Sequence, residues 1–393
     1  YSAYVDDFCI APYIDYVNGT EVFREDIVVY VPKGKTLRIN DYNSTIYNSK
    51  IEKIVEVSIG LPFITVASSE ASSAIKSVCQ YVCDGANDEV EIQNAIDSLA
   101  STGGRVFLTK GKYFVSAAID TKNILIELCG EGALLDLRED TIASSDRGGT
   151  ILQAVGNTDI LHIGGAKGTT IHDIAFFGYG RNKSDNTSFG IKFTGYADTD
   201  RIYNCGFTNC AVAIGSNIAT DVLYIHNLSV QRNKIGIALY RSNAEIHDCL
   251  FCENIGMESI TWDGNIYRID CADICTNDGK IYNNSFRRSG MCYDIFNVYG
   301  NESKLESDCI YSNCIRIIEK PDFLLIEGNS FTKWGHKDLI DDCRKSAICF
   351  DKGSVLGAIM NNRFYSDSNT HKFTDKYAIY ECNTDNDSSY WRY

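Results

Sequence analysis

The segment between residues 263 and 279 carries a group of acidic side chains that could bind a metal ion. It contains Asp263, Asp270, Asp273 and Asp278, with arginines at positions 268, 287 and 288 nearby. Carboxylate oxygens at this density could hold Ca²⁺, although their spacing does not match the twelve-residue loop of an EF-hand. The alternative is a solvated loop in an acidic protein. We therefore expect no required cofactor, with calcium as the metal this segment could bind.

Cysteine is the residue type that most restricts the class of protein. The chain has 16 Cys, and Cys249 and Cys252 form its sole Cys-x-x-Cys pair. Because no second pair completes a zinc site, disulfides in an oxidising compartment are the better explanation. The pairing stays open, within or between chains. The candidates are Cys9, Cys79, Cys83, Cys129, Cys205, Cys210, Cys249, Cys252, Cys271, Cys275, Cys292, Cys309, Cys314, Cys343, Cys349 and Cys382.

Glycosylation sequons favour the same compartment. The sequence begins at Tyr1 without Met, as a mature chain does after removal of a signal peptide. We therefore expect an extracellular or cell-surface glycoprotein. The Asn-x-Ser/Thr candidates are Asn18, Asn43, Asn182, Asn186, Asn227, Asn283, Asn301 and Asn386.

The charge and hydropathy of the chain exclude two classes of partner. Lys and Arg number 37 against 52 Asp and Glu, which gives a net charge of −15 and argues against nucleic acid. The sequence has no apolar run long enough to cross a bilayer. The partners that remain are other copies of the chain and glycans.

Short segments with one template recur from residue 171 onwards. Each reads Ile, any residue, a small or polar residue, two further residues, then Phe or Val, and six of the seven have Asp or Asn at the third position. The shortest separation is 21 residues, which suits one coil of a parallel β-helix. In such a coil the first, fifth and sixth positions would face the interior, and the third would turn a corner in the left-handed region. The segments begin at Ile171, Ile202, Ile225, Ile246, Ile281, Ile326 and Ile359.

The template implies an all-β fold with a regular core. We expect two parallel interior stacks, one of first-position isoleucines and one of sixth-position phenylalanines, including Phe207, Phe251, Phe286, Phe331 and Phe364. At the second position, His172, His226 and His247 should form a packing ladder with tyrosines rather than a catalytic or metal site.

The chain divides into four predicted regions. Residues 1–63 form a small β-rich module or arm. Residues 64–104 contain an entry strand and a capping helix at 88–99, where acidic residues crowd the first turn. Residues 105–380 form the parallel β-helix, and residues 381–393 form a tail.

The segment from Tyr81 to Ile96, with its Cys-Asp-Gly-Ala-Asn-Asp-Glu-Val-Glu-Ile core, resembles the opening of right-handed parallel β-helix proteins of the pectate-lyase-like superfamily. Gly103-Gly104-Arg105-Val106-Phe107-Leu108 continues the resemblance. It covers roughly residues 64–380 and implies a right-handed solenoid whose N-terminal end is capped by a helix. The motif looks most like surface or sheath-type proteins of archaea, especially methanogens, and more distantly like phage tailspikes.

The superfamily includes polysaccharide lyases and hydrolases, but their motifs are incomplete here. Asn157-Thr158-Asp159 and Asp341-Asp342 match two parts of the galacturonase pattern, while Gly-His-Gly and Arg-Ile-Lys are missing. We interpret both fragments as chance and assign no catalytic residue. The sequence favours a structural, self-assembling envelope protein, such as a sheath, surface-layer or filament subunit. The alternative is a secreted polysaccharide lyase or hydrolase, or a glycan-binding spike.

Overall fold

A computed structural model describes residues 62–133, 149–181, 183–290, 313–318, 321–332, 334, 346–351, 357–365 and 377–381, together with four short N-terminal strands. The chain separates into two compact units, Tyr1–Pro62 and Phe63–Tyr393. In the first unit, β1 (Ala3–Val5) pairs antiparallel with β2 (Phe8–Ile10), and β3 (Ile14–Val17) pairs antiparallel with β4 (Thr20–Phe23).

The second unit contains two helices and 32 strands. The helices are α1 (Ser73–Lys76) and α2 (Glu89–Asp97). The strands are β5 (Phe63–Ala67), β6 (Tyr81–Val82), β7 (Gly104–Leu108), β8 (Gly111–Val115), β9 (Ile119–Asp120), β10 (Ile126–Cys129), β11 (Thr150–Ala154), β12 (Leu161–Ile163), β13 (Thr170–His172), β14 (Ile174–Phe177), β15 (Phe189–Phe193), β16 (Ala197–Asp198), β17 (Arg201–Tyr203), β18 (Gly206–Thr208), β19 (Val212–Ser216), β20 (Thr220–His226), β21 (Ser229–Gln231), β22 (Ile235–Leu239), β23 (Ser242–His247), β24 (Leu250–Cys252), β25 (Met257–Trp262), β26 (Asn265–Cys271), β27 (Ile274–Thr276), β28 (Gly279–Tyr282), β29 (Ser285–Arg287), β30 (Ile315–Ile317), β31 (Leu324–Glu327), β32 (Ser330–Thr332), β33 (Ser346–Phe350), β34 (Gly357–Met360), β35 (Arg363–Tyr365) and β36 (Tyr377–Glu381).

Three long parallel sheets run the length of this unit. Sheet 1 has the order β34-β31-β28-β23-β20-β17-β13-β10-β7-β5-β6, sheet 2 runs β35-β32-β29-β24-β21-β18-β14-β11-β8, and sheet 3 runs β36-β33-β30-β27-β22-β19-β15-β12-β9. Each coil contributes one strand to each sheet in turn. The second unit is therefore a right-handed parallel β-helix, as the repeat predicts.

The corner between sheets 1 and 2 explains the template. The third-position residues Asp173, Asn204, Asn227, Asp248 and Asn283 all have φ between 51° and 58°, the left-handed conformation that Asn and Asp tolerate best. One prediction about the corner is wrong. The side chain at the fourth position, instead of the one at the fifth, faces the interior. The single left-handed residue at the third position shifts the alternation of inward and outward side chains by one residue. Accordingly Leu228 is buried and Leu250, at the fifth position, is half-buried.

The interior contains the two predicted stacks. Ile202 pairs in register with Ile225, and Phe251 with Phe286, whose rings lie 5.0 Å apart and nearly parallel. The predicted isoleucines and phenylalanines of the two stacks are buried from Ile171 to Phe331, while Ile359 and Phe364 of the last described template are half-buried.

Asparagines at the fourth position form a buried ladder in the C-terminal coils. The Asn284 side chain donates to the Asn329 side chain at 3.0 Å, and Asn329 donates to Asn362 at 3.0 Å. Each amide also donates to a backbone carbonyl of the preceding coil, for example Asn329 to Ile281 at 2.9 Å. The ladder therefore satisfies polar groups that would otherwise be buried without partners.

Helix α2 covers the N-terminal end of the solenoid. Ile92, Ala95 and Ile96 are buried against the first strands. The Glu89 carboxylate accepts hydrogen bonds from the backbone and hydroxyl of Ser116. The helix shields the open end of the core, as predicted. Within the described residues, neither helix is long and apolar enough to span a membrane.

An antiparallel hairpin of β25 and β26 is inserted between sheets 2 and 3. It lies on the outer face of sheet 3, where Trp262 and Ile260 pack against Phe189, Val212 and Ile235 in a second hydrophobic cluster. The long step between the fourth and fifth templates contains this hairpin.

The disulfide prediction is not confirmed for the eleven cysteines described, which are all free thiols. Strand register gives the physical reason why one conceivable pair, Cys205 with Cys249, does not form. Cys205 and Cys249 occupy equivalent fourth positions, but Leu228 of the intervening coil lies between them. Two strand spacings are about 9.5 Å, beyond the reach of a disulfide. Cys292, Cys309, Cys343 and Cys382 lie outside the described residues, as does the side chain of Cys9.

Candidate functional site

The four predicted calcium ligands have separate partners in the structure. Asp263 lies at the exposed turn of the hairpin, whereas Asp278 accepts hydrogen bonds from the backbone of Gly279 and Phe323 at 2.8 and 3.1 Å. Asp270 is buried and ion-pairs with Arg268 and Arg316. None of the four belongs to a described group of three or more Asp, Glu, His or Cys residues close enough to share a metal.

Asp273 is the most deeply buried member of the predicted calcium set. It accepts hydrogen bonds from the Asn254 amide at 2.8 Å and from the Ser289 hydroxyl. Burial raises its pKa to about 7 even though these hydrogen bonds oppose the rise. Its surroundings are those of a structural carboxyl group inside the coil.

The second-position residues form the predicted aromatic ladder on the outer face of sheet 1. His172, Tyr203, His226, His247 and Tyr282 stack with ring centroids 4.6–5.2 Å apart and interplanar angles of 2–8°. An open groove of about 770 Å³ runs beside the ladder along the left-handed corner residues.

The three described sequons lie in two different environments. Asn227 and Asn283 are exposed at the corner, so a glycan would reach solvent there. Asn186 is 2% exposed and donates to the backbone carbonyls of Gly180 and Asn209. Asn18, Asn43, Asn182, Asn301 and Asn386 lie outside the described residues.

A different set of ionisable side chains meets on the outer face of sheet 3. Asp120, His162 and Lys192 occupy the same register position on the adjacent strands β9, β12 and β15. A carboxylate, an imidazole and an ammonium group therefore follow one another at about 4.8 Å per strand. Because these residues come from three coils, no continuous motif contains them.

Asp159 contacts two members of this group, His162 and Lys192. Its Oδ2 lies 2.9 Å from Nε2 of His162 and 3.8 Å from Nζ of Lys192. Its Oδ1 accepts a hydrogen bond from the backbone of Phe189 at 2.9 Å. Asp159, His162 and Lys192 have side chains 20%, 24% and 17% exposed, so they are held by neighbours yet reachable from solvent. We call Asp120, Asp159, His162, Lys192 and Asp263 the sheet 3 cluster.

The hairpin forms a wall on one side of the cluster. At its turn, Asp263 lies 3.6 Å from Nζ of Lys192 and accepts a hydrogen bond from the Asn217 amide at 3.2 Å. The ammonium group also lies 5.3 Å from the ring of Phe189 and 5.7 Å from that of Trp262. The hairpin therefore contacts the Lys192 ammonium group through both Asp263 and Trp262.

This arrangement is suited to proton transfer. A His162 ring that donates from Nε2 to Asp159 and carries no second proton keeps a lone pair on Nδ1. Within the described part of the chain, Nδ1 has no hydrogen-bond partner. Asp159 thus positions a general base, His162, beside a cation, Lys192. Such a pair can abstract a proton from the carbon next to a carboxylate. From the sequence, we interpreted Asn157-Thr158-Asp159 as a chance match and gave His162 no role, because Lys192 reaches Asp159 and His162 only through strand register.

Comparison with known proteins finds matches among solved structures. No family model and no curated protein matches the chain. Among solved structures, ORF18 of Geobacillus virus E2 is 14% identical with a TM-score of 0.38, covering 76% of this chain and 57% of that one. DFA-IIIase of Arthrobacter chlorophenolicus A6 without its lid is 11% identical with a TM-score of 0.42, covering 81% and 93%. An alginate lyase from Paenibacillus sp. str. FPU-7 is 12% identical with a TM-score of 0.37, covering 81% and 97%.

At these identities and TM-scores, the matches give no basis for a shared activity or site. The narrower resemblance to archaeal sheath proteins finds no support in them.

Proposed function

We propose that the protein is a glycan-processing enzyme whose acid–base centre is His162, positioned by Asp159 and assisted by Lys192. The observation that carries the proposal is the shared Oδ2 of Asp159, 2.9 Å from His162 and 3.8 Å from Lys192. The reaction that best matches this set is β-elimination from a uronic acid residue of a polysaccharide.

Each side chain has a distinct task in this reaction. Lys192 pairs with the uronate carboxylate and stabilises the negative charge that develops when the adjacent C–H bond breaks. Nδ1 of His162 takes that proton. The electron pair forms a carbon–carbon double bond, and the bond to the glycosidic oxygen breaks. The imidazolium returns the proton to the leaving oxygen, so the centre ends in its starting state.

The charge of the protein bears on the substrate. Asp159 and Asp263 hold Lys192 in place but also repel an anionic sugar, and the net charge of −15 adds to that repulsion. A neutral glycan cleaved by hydrolysis would avoid the repulsion. It would need two facing carboxylates, one protonated and one ionised, whereas the two carboxylates beside Lys192, those of Asp159 and Asp263, are both paired with its ammonium group. We therefore favour elimination, with hydrolysis as the outcome that the assay must separate.

The test is an assay of the full chain against polymannuronate, polyguluronate, polygalacturonate, a fructan and an α-glucan. Unsaturated uronate and new reducing ends are measured together. We expect unsaturated product from one of the three polyuronates, and about a 100-fold or greater loss of kcat in His162→Ala. The matched control is His247→Ala, which removes a histidine from sheet 1. Reducing ends from a neutral glycan without unsaturated product would refute the elimination, and full activity of His162→Ala would refute the site.

A location outside the cell is part of the proposal, since polymeric glycans of this kind are extracellular. The envelope-subunit function and the homopolymer stay predictions, as do calcium binding and the occupancy of the exposed sequons. Analytical ultracentrifugation of native protein tests assembly, because a self-assembling subunit sediments as an oligomer at assay concentration while an enzyme of this size need not.

A further inference from the structure

Three metal-ligating side chains converge on sheet 1, on a different face from the sheet 3 cluster. Glu127 and Cys129 both lie on β10, two residues apart and hence on the same face of the strand. His172 of the adjacent strand β13 is the register partner of Cys129. One carboxylate oxygen, the thiol sulfur and one imidazole nitrogen all lie within 4.8 Å of one another.

The imidazole is already oriented as in protein metal sites. Asp173 Oδ2 lies 2.6 Å from Nδ1 of His172, and Glu127 Oε1 lies 3.0 Å from Nε2. The ring also stacks on Tyr203 at 4.7 Å with an interplanar angle of 4°. A histidine that binds a metal through one ring nitrogen usually donates a hydrogen bond from the other to a carboxylate, and this hydrogen bond increases the basicity of the ligand.

The thiol and the carboxylate complete the donor set. Cys129 is 3% exposed, and its sulfur has no hydrogen-bond partner among the described residues. Glu127 keeps its other oxygen 2.9 Å from Arg105, so it can bind a metal through Oε1 while remaining anchored. Burial raises the pKa of the Cys129 thiol to about 12, and the Glu127 charge adds to the rise.

We propose that Glu127, Cys129 and His172 form a binding site for a thiophilic divalent metal ion, with Zn²⁺ as the best match. Ligand atoms in a tetrahedral zinc site are about 3.5 Å apart, so small side-chain rotations complete the geometry. A single thiolate with one imidazole and one carboxylate disfavours Ca²⁺ and Mg²⁺. Three protein ligands leave a fourth position open, and Asp173 beside it lines the end of the groove.

Other parts of the ladder provide matched controls. His247 has the same template position and the same carboxylate on Nδ1, with Asp248 at 2.8 Å. Its register partners on the adjacent strands are His226 and Tyr282 rather than a cysteine. Cys249 is a buried thiol that donates to the His247 carbonyl. His247→Ala and Cys249→Ser should therefore leave metal binding unchanged.

The experiment is titration of the reduced full chain with Co²⁺, followed by competition with Zn²⁺. We expect one equivalent to give a thiolate-to-cobalt charge-transfer band that Zn²⁺ abolishes. Cys129→Ser should remove the band, and His172→Ala and Glu127→Gln should each weaken binding at least about tenfold. Asp173→Asn should weaken it while keeping the band.

A measurement on the unmodified protein tests the proposal even where a variant fails to fold. X-ray absorption at the zinc edge should show one sulfur with two or three nitrogen or oxygen neighbours. A first shell without sulfur, the absence of any band, or a band that survives Cys129→Ser would overturn the proposal. A loss of the band in Cys249→Ser equal to that in Cys129→Ser would also overturn it.

Discussion

The indole of Trp262 lies directly over the backbone of Gly215. A Cβ at residue 215 would come within 2.8 Å of the indole and 2.6 Å of the Phe189 ring. Gly215 follows Lys192 in the same register column of sheet 3. The missing side chain therefore lets the hairpin reach the sheet and bring Asp263 to Lys192.

Gly215→Ala should loosen the hairpin, because the added methyl group has no space between two rings. We expect a loss of about 1–3 kcal/mol in the free energy of unfolding, the usual range for overpacking. Urea unfolding measures it. Gly156→Ala is the control, since a Cβ there meets nothing within 4 Å. Equal stability of the two variants would show that the hairpin does not depend on this contact.

Phe251→Ala tests the interior stack. The ring is fully buried and stacked on Phe286, so its removal leaves a cavity between coils that the neighbouring strands cannot close. We expect a cost of roughly 3–5 kcal/mol by urea unfolding. Val155→Ala, at a position 59% exposed, should change stability by less than about 0.5 kcal/mol. A small effect at position 251 would mean that the stack is not continuous.

Asp273 should make stability depend on pH. Its folded-state pKa of about 7 is raised above the ordinary 3.8, so the folded protein holds a proton that the unfolded chain has lost between these values. Its contribution to stability is therefore complete below about pH 4 and disappears as the pH rises to about 7, a change of at most about 4 kcal/mol.

Asp273→Asn removes this titration while keeping an amide that can bond Asn254 and Ser289. Relative to the wild type, the variant should gain stability between pH 4 and pH 8 in urea unfolding. A difference between the two proteins that stays constant over this range would contradict the assigned pKa.

Ionic strength should affect the proposed reaction in an unusual direction. The protein carries a net charge of −15, and a polyuronate is also anionic. Salt screens their repulsion, so KM should fall as NaCl increases from low to physiological concentration, while kcat changes little. Steady-state kinetics on the responsive polyuronate measure both constants. A KM that rises with salt would mean that local attraction at Lys192 dominates.

Much of the fold could be predicted because successive coils place the same chemical requirements on the same template positions. The corner needs a left-handed residue, so Asn and Asp recur at the third position, and the interior needs Ile and Phe at fixed distances from it. The orientation of the fourth position could not be read in this way, because Leu228 and Asn284 satisfy the interior by different chemistry. Leu228 packs apolar surface, whereas Asn284 continues a hydrogen-bonded ladder.

The candidate site could not be predicted from the sequence. Asp159 and His162 are close in the chain, but Lys192 is 30 residues away and reaches them through strand register alone. The acidic segment gave the strongest local signal, yet the structure gives Asp270 an arginine pair and places Asp273 in the interior. Density of carboxylates along a chain does not determine which of them face one another.

The most direct test of the central claim is product analysis by mass spectrometry after reaction in water enriched in heavy oxygen. Elimination at His162 predicts products with an unsaturated uronate at the new end and no heavy oxygen incorporated at the cleaved bond, with both absent from His162→Ala. Products that gain one heavy oxygen per cleavage, or products formed equally by His162→Ala, would contradict it.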